Sequence, residues 1–183
     1  MERSIPWLNF LPLAFFMWGP RLFSTLHPLA SAWNQPFYWG SAIALTQILY
    51  SFYFNISLDY VALGTNLFLL YGAIGSLLHS SLLLPSALLK QSGVFLFILT
   101  CGLIVSMIRR EGFLQLPEQF QTSSLIGSCG LLGFTILAFG LSYVFVTYIN
   151  VGPPLALGIP LVSLLTAREV FYEYITRRNL KTY

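Results

Sequence analysis

Long apolar runs, separated by short polar or proline-bearing breaks, recur along the whole chain, and each run predicts a helix. Phe37 to Leu58 carries no charge over 22 residues, enough to cross a hydrocarbon layer of about 30 Å at about 1.5 Å per residue. Val61 to Leu84 is a second uncharged run, closed by Pro85, and Asp59 marks so short a connection that the two runs form an antiparallel hairpin. After Lys90 comes Gly93 to Ile108, stopped by Arg109-Arg110-Glu111, and the polar stretch through Gln121 is the longest in the chain. Ser123 to Ile149 follows, then a turn over Asn150 to Pro154. Pro153 and Pro154 suit the first turn of a final helix, Leu155 to Tyr174, because a missing N–H costs nothing there.

The amino-terminal run is different. Ile5 to Trp18 is short, contains Pro6 and Pro12, and meets Gly19-Pro20-Arg21, where proline and charge both oppose continuation. Residues 5–20 are expected either to cross as a short segment or to re-enter, and without a small-residue cleavage site they are expected to be retained. Beyond them, His27-Pro28, Asn34-Gln35-Pro36 and the rings of Trp33, Tyr38 and Trp39 suit the headgroup zone.

Runs such as Leu67 to Leu70 are apolar on every face, which excludes the alternating pattern of a transmembrane barrel. The expected fold is all-α: one integral membrane domain over residues 1–183, a polytopic helical bundle with five or six transmembrane segments. Composition agrees, since 8% of the residues are charged and 56% hydrophobic, against about 25% charged in soluble domains. Mean hydropathy is +0.75.

Charge then orients the chain. With a cytoplasmic carboxyl terminus, residues 175–183, and a crossing first segment, Arg3, Arg109, Arg110, Arg168, Arg177, Arg178 and Lys181 fall inside and only Arg21 and Lys90 outside. That satisfies the positive-inside rule of a bacterial cytoplasmic membrane. If the first segment re-enters, Arg3 moves outside and the carboxyl terminus stays inside.

Intramembrane polar groups are the natural functional candidates. Gln47, Asn55 and Asn66 are amides able to join helices or to line a substrate path, with Gln47 and Asn55 roughly on one helix face. His79 reads as a hydrogen-bonded structural residue or a cofactor ligand, but His27 offers it no ligand-like spacing. Gly72, Gly75 and Ser76, and Gly127, Gly130, Gly133 and Gly140, read as helix-packing seams or self-association surfaces. No Lys-Ser or Lys-Thr closes the glycine spacing and no strand precedes it, so these glycines form no phosphate loop. Cys101 and Cys129 match no zinc or redox spacing and read as packing residues.

Catalysis has no constellation to carry it: Asp59 has no acidic mate, and Arg168-Glu169 is expected to snorkel to the inner surface or to pair locally. No catalytic, metal or cofactor-binding residue is assigned. The basic tail reads as a topology anchor with weak attraction for anionic lipid. Expected partners are the bilayer and other membrane proteins or a second copy, without nucleic acid.

Several pieces share an order. Phe10-Leu11-Pro12-Leu13, Ala44-Leu45-Thr46-Gln47-Ile48-Leu49-Tyr50-Ser51, a glycine-bearing run ending near His79, Arg109-Arg110, and Leu114-Gln115-Leu116-Pro117-Glu118 ahead of a helix occur in sequence. This order resembles the intracellular septation protein A family of small bacterial inner-membrane proteins. Asp59 stands where that family tends to carry a basic loop, and Lys90-Gln91-Ser92 lacks the family's proline. The resemblance implies a non-enzymatic helical membrane protein linked to cell-envelope maintenance and septation. A small transporter or substrate-binding component and a structural subunit of a respiratory complex are the competing expectations.

Overall fold

The computed structural model describes residues 9–24, 34–54, 56, 58–78, 90–109, 112–115, 121–149 and 151–180, and these are helical apart from short turns, with no strand among them. The helices are α1 (Leu11–Ser24), α2 (Asn34–Tyr53), α3 (Tyr60–Leu77), α4 (Gly93–Ile108), α5 (Gln121–Val144) and α6 (Pro153–Leu180). A 3-10 turn, Lys90–Ser92, leads into α4, and α5 ends in a π-helical turn, Phe145–Ile149.

Three stretches are long and apolar enough to cross a membrane: Tyr60–Leu77, Ser124–Ile149 and Pro154–Arg177. The other helices fall short of that standard. α4 has 16 residues, about 24 Å of rise against about 30 Å of hydrocarbon. α2 has the length, but Asn34, Gln35, Thr46 and Gln47 dilute its apolar character.

Boundaries differ from expectation where a local stop signal competes with packing. α1 continues through Pro20 to Ser24. A helix within a bundle tolerates proline because neighbouring groups can satisfy the freed carbonyl, and α6 likewise runs through Pro160. α2 stops at Tyr53, five residues short of Leu58, and α6 extends six residues beyond Tyr174. Asp59, which follows the Phe37 to Leu58 run, serves as the cap that begins α3.

Each helix packs on the next in the chain, and α1 also touches α3 and α6. Cross-helix pairs fix antiparallel registers: Phe37 with Gly72 and Gln47 with Asn66 between α2 and α3, Gly127 with Ile175 and Gly130 with Phe171 between α5 and α6. The core is built on aromatic contacts. Phe16 and Phe37 lie 4.6 Å apart, Phe68 sits against both at 6.0 and 5.8 Å, and Phe97 meets Phe68 at 5.8 Å and Tyr71 at 5.3 Å. Such tilted and edge-on pairs add about 0.5–1.5 kcal/mol each beyond the area they bury.

Burial is uneven in a way that bears on function. The apolar window of α3 is 61% buried inside the fold, whereas those of α5 and α6 are 22% and 28% buried. α3 is the central helix, and α5 and α6 present apolar faces outward.

Candidate functional site

The charges come together at one end of the bundle. Asp59 caps α3: its Oδ1 accepts the Val61 N–H at 2.9 Å, and its carboxylate complements the positive end of the helix dipole. Its Oδ2 accepts from the Arg168 guanidinium on α6, across 109 residues of sequence. Both side chains are largely buried, at 9% and 17% exposure. This corrects the expectation that Arg168 snorkels or pairs locally: Glu169 is exposed, and Asp59 is the partner. The missed signal was in the sequence, because an arginine in an apolar stretch requires a counterion and an aspartate just ahead of an apolar run is a helix cap.

α3 begins in a recess. From the contact of Gly64 with Ile98, α4 runs ten more residues to Ile108 while α3 has four, back to Tyr60, a difference of about 9 Å. The α4–α5 turn fills that space. Phe113 and Leu114 are fully buried, Phe113 against Gly102 and Leu114 against Gly127. The Phe113 N–H donates to Ser128 Oγ at 2.8 Å, and Gln115 Nε2 donates to the Leu58 carbonyl at 3.1 Å beside the ion pair. Two left-handed residues, Gly112 (φ 64°) and Gln115 (φ 55°), let the chain fold back.

A Gly112→Ala change tests this turn. The new Cβ would lie 2.4 Å from Ser128 Oγ and 2.7 Å from Ser124 Oγ, adding a clash to a left-handed penalty of about 1–2 kcal/mol. Faster proteolysis in this turn and a lower thermal midpoint are expected. Unchanged values would show that the turn does not hold the end of the bundle together.

A second polar group lies among α1, α2 and α3. Asn66, fully buried, donates through Nδ2 to Gln47 Oε1 at 3.0 Å, and Gln47 Nε2 donates to Asn9 Oδ1 at 3.4 Å. Each amide contact contributes about 0.6–2 kcal/mol. Asn66 Oδ1 has no partner among the described residues. Asn55 and His79 lie outside the described residues.

The glycines divide into two sets. Gly72 faces the Phe37 ring, where a Cβ would lie 2.1 Å from Cε1, and Gly127 faces Leu114 and Ile175 at 2.3 and 2.6 Å. Gly75 and Ser76 are buried, with Ser76 Oγ and Tyr38 Oη 3.1 Å apart across α2 and α3. A Cβ at Gly130 would lie 3.3 Å from the Phe171 ring, slightly closer than ordinary van der Waals contact. Among the described residues a Cβ at Gly133 or Gly140 would meet nothing within 4 Å, so of the two expected roles these positions fit an open surface for self-association rather than a seam within the chain. The position where a Cβ would come closest to another helix's backbone, Gly64 at 2.6 Å from the Ile98 Cα, was not singled out from sequence. One glycine carries no spacing signal until its neighbour helix is known.

Cys101 is buried and Cys129 exposed, both as free thiols. Among the described residues no three His, Cys, Asp or Glu side chains gather where a metal could bind. The polar contacts described above act as joints: an ion pair tying the start of α3 to α6, an amide ladder tying Asn9, just ahead of α1, through α2 to α3, and a buried turn closing one end. Comparison with protein-family models, with curated proteins and with solved structures returned no match.

Proposed function

We propose that this chain is a non-enzymatic, multi-pass protein of the bacterial cytoplasmic membrane that acts as a scaffold or partner-binding factor in cell-envelope maintenance or septation. The observation carrying this reading is the division of labour in the bundle. Polar joints face inward, whereas α5 and α6 turn mostly apolar surface outward, including Ile126, Leu137, Val162 and Val170. An outward apolar face that lipid covers is also one that another membrane helix can cover.

In this reading α2 and α4 cross beside the three longer spans and α1 completes the bundle. Asp59, Arg109, Arg168 and Arg177 then share the cytoplasmic end, in keeping with the positive-inside rule. The envelope and septation assignment rests on the order of sequence pieces described above. Transport is the weaker reading, because Gln47 and Asn66 hydrogen-bond each other and Asn66 is fully buried.

Gly133 and Gly72 separate partner binding from folding. Gly133→Leu changes an outward face and is expected to leave thermal stability within about 1 kcal/mol while reducing crosslinking in vivo to an envelope-synthesis or division protein. Gly72→Leu is expected to damage the fold itself. A crosslinking survey that recovers no specific membrane partner, or one indifferent to Gly133→Leu, contradicts the proposal.

A further inference from the structure

α5 and α6 leave a groove of about 460 Å³ between Phe134 on one side and Val162, Thr166, Ala167, Val170 and Phe171 on the other. Its hydroxyls are already used within α6: Thr166 donates to the Val162 carbonyl at 2.8 Å, and Ser163 to that of Ile159 at 2.9 Å. The wall therefore accepts hydrocarbon. From Val162 to Phe171 the groove follows ten residues of α6, a rise of about 13.5 Å, close to one leaflet's share of a core of about 30 Å.

Just past the cytoplasmic end of that groove stand Glu173 and Arg177, 63% and 77% exposed and paired at 3.0 Å. Heptad steps carry the groove stripe onto them, from Ser163 and Val170 to Arg177 and from Thr166 to Glu173. The pair is neutral as a unit. A guanidinium has five N–H donors, and this contact leaves room for a phosphate, while the carboxylate can accept from an ammonium.

We propose that the groove seats an acyl chain of a phospholipid whose headgroup carries both a phosphate and a primary ammonium, the ethanolamine class. The phosphate meets Arg177, the ammonium meets Glu173, and one chain lies along Val170 and Ala167. A purely anionic headgroup offers the Glu173 carboxylate no positive charge. A quaternary ammonium has no N–H to donate. The site presupposes that α5 and α6 lie in a bilayer.

Native mass spectrometry of the full chain in mild detergent tests it, with phosphatidylethanolamine, phosphatidylcholine and phosphatidylglycerol of matched chains. Retention of the ethanolamine lipid is expected to exceed that of the other two by about fivefold, the equivalent of about 1 kcal/mol. Val170→Trp, at an exposed position that should not disturb folding, is expected to abolish selective retention by filling the groove, as is Ala167→Leu. Glu173→Gln should bring the ethanolamine lipid down to the choline level. Equal retention of the three lipids, a preference for the glycerol lipid, or a dimer that Val170→Trp converts to monomer would overturn the site. Recovery of the chain from the aqueous fraction without detergent would remove the membrane reading and the site together, a failure distinct from equal retention.

Discussion

Asp59→Ala is expected to destabilise the fold by about 3–5 kcal/mol, because it leaves the Arg168 charge buried without its partner. At about 2–4 °C per kcal/mol for a chain of this length, the thermal midpoint in detergent falls by roughly 6–20 °C. The same change removes the α3 cap, worth about 1 kcal/mol, since Asp59 accepts the Val61 N–H. Arg168→Met alone should cost less: the carboxylate it strands still holds that N–H and the helix dipole. Combining Asp59→Asn with Arg168→Met should recover most of the loss, because asparagine still caps and no charge remains to be compensated. Strict additivity of Asp59→Asn and Arg168→Met, each also measured alone, would show that the two side chains do not interact.

Gly64→Ala is expected to cost at least about 3 kcal/mol, the top of the usual range for overpacking. The added Cβ would sit 2.6 Å from the Ile98 Cα and 2.9 Å from its N, atoms that cannot rotate away, so α3 and α4 must part. Phe37 at Gly72 is a side chain, but it is held between Phe16 and Phe68, so Gly72→Ala should also be costly. Gly133→Ala reverses the sign. With nothing within 4 Å, the better helix propensity of alanine should stabilise by about 0.5–1 kcal/mol. Thermal unfolding of the three variants in one detergent checks the order, and a Gly133→Ala loss as large as that of Gly64→Ala would refute the assigned packing.

The contrast between Gly64 and Gly133 also shows what a linear pattern can carry. Helices bounded by strong local chemistry are legible: Arg109 follows the last residue of α4, and Pro153 and Pro154 open α6, as their missing N–H groups allow. Features that depend on a distant partner are not. Asp59 looks like a stop for the run before it, yet its role is set by Val61 beside it and Arg168 on α6. Pro20 reads as a breaker, but one lost backbone bond does not end a helix that packs on α2, α3 and α6. Gln47 and Asn66 were recognisable as candidates, whereas Asn9 entered only once the fold placed it beside Gln47. The glycine positions were visible, but which of them face a neighbour follows from helix rotation, which a nearly uniformly apolar sequence leaves unmarked.

The central claim is that lipid covers the outward faces of α5 and α6, and cysteine labelling in membrane vesicles tests it most directly. Cys101 and Cys129 are replaced by alanine, and a cysteine is placed either at Leu137, 67% exposed in the middle of α5, or at Arg177, 77% exposed near the end of α6. A membrane-impermeant maleimide is expected to label the Arg177→Cys protein from the cytoplasmic side and to leave Leu137→Cys unlabelled until detergent is added. Labelling of Leu137→Cys in intact and opened vesicles at the rate of Arg177→Cys would contradict the account.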